Sequence, residues 1–156
     1  MELAVVTVSN VVLEDMITAC NEINKKWPES LCLKLFFAGN VAVKSYEEIE
    51  NSLNKADIVI LDLMGATQEF QSFIIKNCSK LTCNIISIGG ENSHIRKMVR
   101  LGSFTFKDMR LKSMKMGDGK THADMAKIMD MAERLGSAIP SGKLRDMRNY
   151  NYIRKY

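Results

Sequence analysis

Ala56-Asp57-Ile58-Val59-Ile60-Leu61-Asp62-Leu63 is the stretch that decides the fold. Four consecutive apolar residues stand between two aspartates, and Met64-Gly65 follows as the start of a turn. A short, largely β-branched apolar run bounded by turn residues reads as a strand covered on both faces, and such strands belong to parallel sheets. This segment is therefore expected at the middle of the sheet.

Three similar runs lie on either side of it. Leu3 to Val8 is rich in valine and ends in Ser9-Asn10, Leu31 to Phe37 is broken by Ala38-Gly39-Asn40, and Asn84 to Ile88 leads into Gly89-Gly90-Glu91-Asn92. Between these runs the apolar spacing changes from strand-like to helical. Val11 to Trp27 carries Val12, Met16, Ala19, Cys20 and Ile23 at helical intervals, with Asn10 as a possible cap and Pro28 just past the end. Tyr46 to Asn54 is short and amphipathic, with Glu47, Glu48 and Glu50 near the positive end of the helix dipole. Gln68 to Asn77 places Phe70, Phe73 and Ile74 on one face. Ser93 to Leu101 has basic residues in its second half and Gly102 as its stop. Four strands alternating with helices predict an α/β fold with a doubly wound parallel sheet of flavodoxin-like or half-Rossmann type, its crossovers right-handed.

With 156 residues, 46% of them hydrophobic, the chain can enclose one full core with an appendage. The division expected is an α/β domain over 1–102 and a basic, Met-rich helical extension over 103–156. No run of eighteen apolar residues occurs, and Met1 to Asn10 lacks the basic start and cleavage site of a signal peptide, so a soluble, cytoplasmic protein without a transmembrane segment is expected. Cys20, Cys32, Cys78 and Cys83 lie in apolar stretches without metal-ligand spacing and read as buried free thiols.

The net charge of +4 conceals an asymmetry. Residues 1–93 hold 7 Lys/Arg against 12 Asp/Glu, and residues 94–156 hold 15 against 6. Basic character therefore belongs to the last third, where Met109, Met114 and Met116 are interleaved with cations over Lys107 to Lys120. Thr121 to Leu135 returns to helical spacing, with Met125, Ile128, Met129, Ala132 and Leu135 as an apolar stripe ended by Gly136. Tyr150, Tyr152 and Tyr156 stand among basic residues, an arrangement compatible with base stacking. Six acidic residues interrupt the same region, however, and no nucleic-acid partner is expected.

In an open parallel sheet, ligands bind beyond the carboxyl ends of the strands. The candidate cleft residues here are Asn10, Asn40, Asp62, Gly65, Gly89, Gly90, Glu91 and His94. Gly89 and Gly90, leading into the helix from Ser93, could receive a carboxylate or phosphate on backbone amides. Neither a dinucleotide Gly-x-Gly-x-x-Gly nor a phosphate loop is present, which argues against ATP binding by this chain. Asp62 sits where response-regulator receivers carry their phosphorylated aspartate, but the first strand lacks the acidic pair that holds magnesium. Two histidines in unrelated positions give nucleophilic catalysis nothing to build on, and no catalytic or metal-ligating residue is assigned.

Three blocks carry a resemblance to a known family. They are Ala56-Asp57-Ile58-Val59-Ile60-Leu61 with its following helix, His94 to Phe106 with Ile95, Met98, Leu101, Gly102, Ser103, Phe104 and Thr105, and Leu135 to Tyr150. Together they resemble the N-terminal domain of the large (H-type) subunit of magnesium chelatase and its cobaltochelatase relatives. The resemblance implies a tetrapyrrole-binding subunit of an ATP-dependent ligase that inserts magnesium or cobalt into a porphyrin or corrin, in chlorophyll or cobalamin biosynthesis. ATP hydrolysis would belong to separate AAA+ partner subunits, and the remainder of the large subunit would follow Tyr156, where the chain ends without a stop signal. Metal insertion would be credited to the full-length subunit, not to this chain alone. A tetrapyrrole is a broad apolar disc with acidic arms, so Met98, Phe104, Phe106 and Met109 beside Arg100 and Arg110 are candidates for tetrapyrrole contact or for docking the rest of the subunit. The alternative reading is a non-enzymatic regulatory or small-ligand-binding α/β module.

Overall fold

A computed structural model describes residues 1–40, 45–89 and 93–105, together with 142, 145, 146, 149, 152 and 153. The chain divides into two compact units, Met1–Val99 and Arg100–Tyr156. In the first unit β1 (Glu2–Thr7), β2 (Cys32–Phe37), β3 (Ile58–Asp62) and β4 (Asn84–Gly89) alternate with α1 (Asn10–Lys26), α2 (Tyr46–Lys55), α3 (Gln68–Cys78) and α4 (Ser93–Met98). The second unit contains β5 (Arg100–Leu101) and β6 (Phe104–Thr105).

The four long strands are all parallel and lie in the order β2-β1-β3-β4. That order is the flavodoxin-like one and settles the choice against a half-Rossmann arrangement. The register sets Val5 between Leu35 and Ile60, and Ala4 between Lys34 and Val59. Alternation then sorts the side chains. Ala4, Val6, Val59, Leu61 and Ile85 form one core with Ile49 and Leu53 of α2, Phe70 and Ile74 of α3, and Ile95 of α4. Most of these are fully buried, and each large aliphatic or aromatic side chain so placed contributes about 1.5–3 kcal/mol. Tyr46 stacks on Phe73 at 4.3 Å between ring centres and ties α2 to α3. α1 packs on β1 and β2 and contributes nothing to that cluster.

Local chemistry explains most boundaries. Ser9, not Asn10, caps α1: it is extended, and its hydroxyl accepts from the Val12 amide at 3.4 Å. Thr67 caps α3 in the same way through Phe70. Asn24 fixes the connection from α1 to β2, its amide donating to the Leu31 carbonyl at 2.8 Å while its oxygen accepts from the Leu31 amide at 3.0 Å. Asp57 holds β1 to β3 at their start by accepting from the Glu2 amide at 2.8 Å.

Two expectations need correcting. The helix from Ser93 ends at Met98 and does not reach Leu101, because Arg100 and Leu101 pair antiparallel with Thr105 and Phe104. Gly102-Ser103 is thus a two-residue hairpin turn, with Gly102 at φ +57, and Gly-Ser between paired residues is a hairpin signal as much as a helix stop. Of the four cysteines only Cys20 and Cys78 are buried, while Cys83 is intermediate and Cys32, opening β2, is exposed. The segments Lys107 to Lys120 and Thr121 to Leu135 lie outside the described residues.

Candidate functional site

In the order β2-β1-β3-β4 the chain moves outward from β1 in opposite directions, which puts the switch point, where this class of fold forms its ligand crevice, beyond the carboxyl ends of β1 and β3. The residues that meet there are Thr7 and Asp62, which are register partners. Thr7 is fully buried and Asp62 nearly so, and the Thr7 hydroxyl donates to Asp62 Oδ2 at 2.8 Å. Thr7 Oγ1 in turn accepts from the Ser9 amide at 2.9 Å, so one hydroxyl joins the carboxylate to the turn that starts α1. Asp62 Oδ1 has no partner among the described residues, and no fully buried side-chain polar atom there lacks one, so this oxygen faces solvent.

On the far side of Asp62 the ladder between β3 and β4 slips by one residue, which sets Gly89 beside Asp62 where Ile88 would otherwise fall. Irregularities of this kind recur beside functional sites because they re-aim side chains. The result is a row Phe37, Thr7, Asp62, Gly89 across four strand ends, with a carboxylate flanked by a hydroxyl and by a residue with no side chain. Around it Asn10, Val11 and Met64 are exposed, and Gly65 turns the chain at φ +93. Ser9 takes the amides of Val12 and Leu13, leaving those of Asn10 and Val11 at the open end of α1. Such a crevice suits a ligand that donates a hydrogen bond to Asp62 and presents an apolar edge to Val11 and Met64.

The expected cleft residues therefore converge only in part. Asp62 and Gly89 are adjacent, Asn10 opens α1, and Gly65 follows β3. Asn40 closes the single 3-10 turn after β2, and His94 stands exposed on α4. Gly90 and Glu91 lie outside the described residues. α4 is six residues long, so its dipole is a weak anion attractor. Thr7 was not foreseen, because a threonine at the end of a valine-rich run reads as one more β-branched strand residue. The signal lies in register, since pairing Leu3 with Ile58 sets Thr7 opposite Asp62.

Among the candidates for tetrapyrrole contact or docking, Met98 packs against the core of the first unit and Phe104 is 1% exposed. Arg100 is half-buried in β5 opposite Thr105. Phe106, Met109 and Arg110 lie outside the described residues. The best-defined polar feature of the second unit is one the residue patterns did not reveal. Asp146 Oδ2 accepts from both the amide and the hydroxyl of Ser103, each at 2.8 Å, and lies so close to Gly102 that any Cβ there would collide with it. These hydrogen bonds, with Arg145 assisting at 3.6 Å, hold the Asp146 carboxyl below its ordinary value.

A groove of about 430 Å³ occupies the opposite end of the sheet from the crevice. It is lined by Glu2, Lys34, Glu47, Glu48, Asn51, Ser52 and Lys55. Three carboxylates and two ammonium groups make it mixed in sign, and it lies beside the first residue of β1 rather than at the strand ends where this class of fold binds ligands.

Strand order and register together define a flavodoxin-like parallel α/β domain. The chain belongs to the family described as Domain of unknown function (DUF3479), which it matches over residues 2–151. Comparison with curated proteins finds no match. Among the described residues no helix is long and apolar enough to cross a membrane, and no group of three or more His, Cys, Asp or Glu side chains is placed to hold a metal ion.

Proposed function

We propose that this chain is the N-terminal domain of the tetrapyrrole-binding large subunit of an ATP-dependent magnesium or cobalt chelatase. The observation that carries the reading is the pairing of Ser103 with Asp146. Two of the three blocks that resemble the chelatase subunits, His94 to Phe106 and Leu135 to Tyr150, are far apart in sequence and are joined by this one carboxylate. A family-like block held to another by a specific side chain is what a shared architecture requires, whereas unrelated look-alike segments have no reason to meet.

In this reading the domain's part is to dock the remainder of the large subunit, with Phe104 buried and Met98 half-buried inside the domain itself, and Arg100 is the cation proposed to meet an acidic arm of the substrate. The proposed partners are the remainder of that subunit, the AAA+ ATPase subunits that hydrolyse ATP, and the tetrapyrrole, in the cytoplasm. Metal insertion belongs to the complete enzyme.

The test is a titration of the purified chain with protoporphyrin and with a metal-free corrinoid, read by absorbance shift and by quenching of Trp27. Saturable micromolar binding weakened by Arg100→Ala or His94→Ala supports a tetrapyrrole surface on this domain. Absence of binding here, together with failure of the chain to associate with a chelatase large subunit lacking its N-terminal domain, refutes the reading.

The second reading, a non-enzymatic ligand-binding module, is favoured by one observation, the solvent-facing oxygen of Asp62 at the strand-order reversal. It predicts that a small hydrogen-bond donor, but no tetrapyrrole, raises the melting temperature of the wild-type chain and not of Asp62→Asn.

A further inference from the structure

β2 is the edge of the sheet in the first unit, and among the described residues no strand pairs with its outer side. Parallel strands direct the N–H and C=O of one residue to one neighbour and those of the next residue to the other side. The Cys32 amide donates to the Met1 carbonyl at 2.9 Å, so Cys32, Lys34 and Phe36 bond to β1. Leu33 and Leu35 consequently turn their amides and carbonyls outward and Phe37 its amide, and among the described residues no hydrogen bond satisfies these groups, while the Phe37 carbonyl opens the 3-10 turn Ala38–Asn40. The strand is also six residues long, regular in register throughout, free of proline and glycine, and apolar at every position but Lys34. Leu33, Leu35, Phe36 and Phe37 remain only half-buried. A long, flat, apolar edge is a template for another strand.

We propose that β2 pairs antiparallel with β2 of a second copy of this chain about a two-fold axis at Leu35, joining the two sheets edge to edge. The open bonding positions choose this register. Leu35 then exchanges both hydrogen bonds with Leu35 of the second copy, and the Leu33 carbonyl accepts from the amide of its Phe37. On one face the opposed pairs are Leu33 with Phe37 and Leu35 with Leu35, all apolar, which is the favourable case for cross-strand neighbours. On the other face Lys34 lies opposite Phe36 of the second copy, within reach of its ring.

The single charge sets the register against its nearest competitor. Slipping the pair by two residues would place Lys34 directly opposite Lys34 of the second copy, and like charges directly opposed are destabilising. In the proposed register the two lysines are diagonal, and each stays beside the groove formed by Glu2, Glu47 and Glu48 of its own chain. A self-complementary patch of this kind is what a two-fold interface requires. Its small size places it among the weaker associations, with dissociation on the order of 100 µM.

The test combines sedimentation of the full chain with amide hydrogen exchange read residue by residue by NMR, at about 20 µM and about 500 µM protein, to bracket that affinity. The mean mass is expected to rise most of the way to that of a dimer at the higher concentration, with the amides of Leu35 and Phe37 exchanging about threefold slower, the limit set by the chains still monomeric there. Those of Lys34 and Phe36, already bonded to β1, are slow at both concentrations. Leu35→Pro removes the central outward donor without touching a bond to β1, and is expected to abolish the mass change while circular dichroism stays that of the parent. A chain monomeric at both concentrations overturns the proposal, as does a dimer in which Leu35 and Phe37 stay as fast as in the monomer. Protection of those amides only on addition of a different protein's strand also overturns it.

Discussion

Ser103 and Asp146 are bound to each other twice, the amide and the hydroxyl of the serine both donating to one carboxylate oxygen at 2.8 Å across 43 residues of sequence. The carboxyl is held below its ordinary value by those two bonds and, to a smaller extent, by Arg145. A carboxylate depressed in the folded state contributes stability that is full above its unfolded value and is lost as pH falls through its folded value. The clasp should therefore be intact at neutral pH and open only at pH below the ordinary carboxylate range. Following the Ser103 amide shift by NMR during an acid titration checks this, and Asp146→Asn should remove the low-pH transition of that amide.

Gly102 sits at φ +57 with Asp146 Oδ2 in the space a side chain would take. Gly102→Ala should cost at least about 1–2 kcal/mol, since a left-handed conformation alone costs that for an L-residue. Denaturant unfolding should report the loss, and the Ser103 amide resonance should move toward that of Asp146→Asn. If Gly102 were only a helix stop, as its position in the sequence suggests, the second effect would be absent.

Thr7→Val keeps the shape of a β-branched residue but removes both the donor to Asp62 and the acceptor for the Ser9 amide. It leaves a buried carboxylate oxygen without its hydroxyl, at a cost of about 1–3 kcal/mol in urea unfolding. Thr7→Ser preserves the hydroxyl and should lose less than half as much.

Asn24 serves Leu31 as a neighbouring strand would, receiving from its amide and giving to its carbonyl. Asn24→Ala should destabilise by about 1–3 kcal/mol, because Leu31 is buried, its amide is left unpaired and its carbonyl keeps only the weak Cys20 thiol donor at 3.8 Å. Asn24→Asp retains one bond and loses the other, and its melting temperature should fall between parent and alanine variant.

Cys32 is exposed, yet the Glu2 carboxylate beside it raises its thiol above the ordinary value. Less thiolate is present at pH 8 than on a free cysteine, and thiolate is the reactive form. Alkylation by iodoacetamide should accordingly be slower than for a cysteine in an unstructured peptide, with its midpoint displaced to higher pH. Glu2→Gln should bring it back.

Strand and helix identity in the first unit was legible because burial on both faces leaves β1 and β3 as unbroken apolar runs, and because α2 and α3 show an apolar stripe at helical intervals. What was not legible depends on register. Thr7 acquires meaning only opposite Asp62, and Gly89 only through a slip in the ladder between β3 and β4. Ser93 to Leu101 misled for a local reason: Gly102 satisfies both a helix stop and a hairpin turn, and only the pairing of Leu101 with Phe104 distinguishes them. Asp146 lies too far along the chain for any periodicity to connect it with Ser103. Asp62, Gly89 and the opening of α1 were marked as cleft candidates by the rule that parallel sheets bind at their carboxyl ends, and the fold sets them at neighbouring strand ends.

The strand order has a consequence for how the first unit is made during synthesis. β1 emerges first and β2 takes one side of it, β3 then takes the other side, and β4 joins β3. Each new strand thus finds its partner already present, and none has to be threaded between two strands that formed before it. A chain released residue by residue can build this sheet in the order of its own translation, with a single growing edge at each stage.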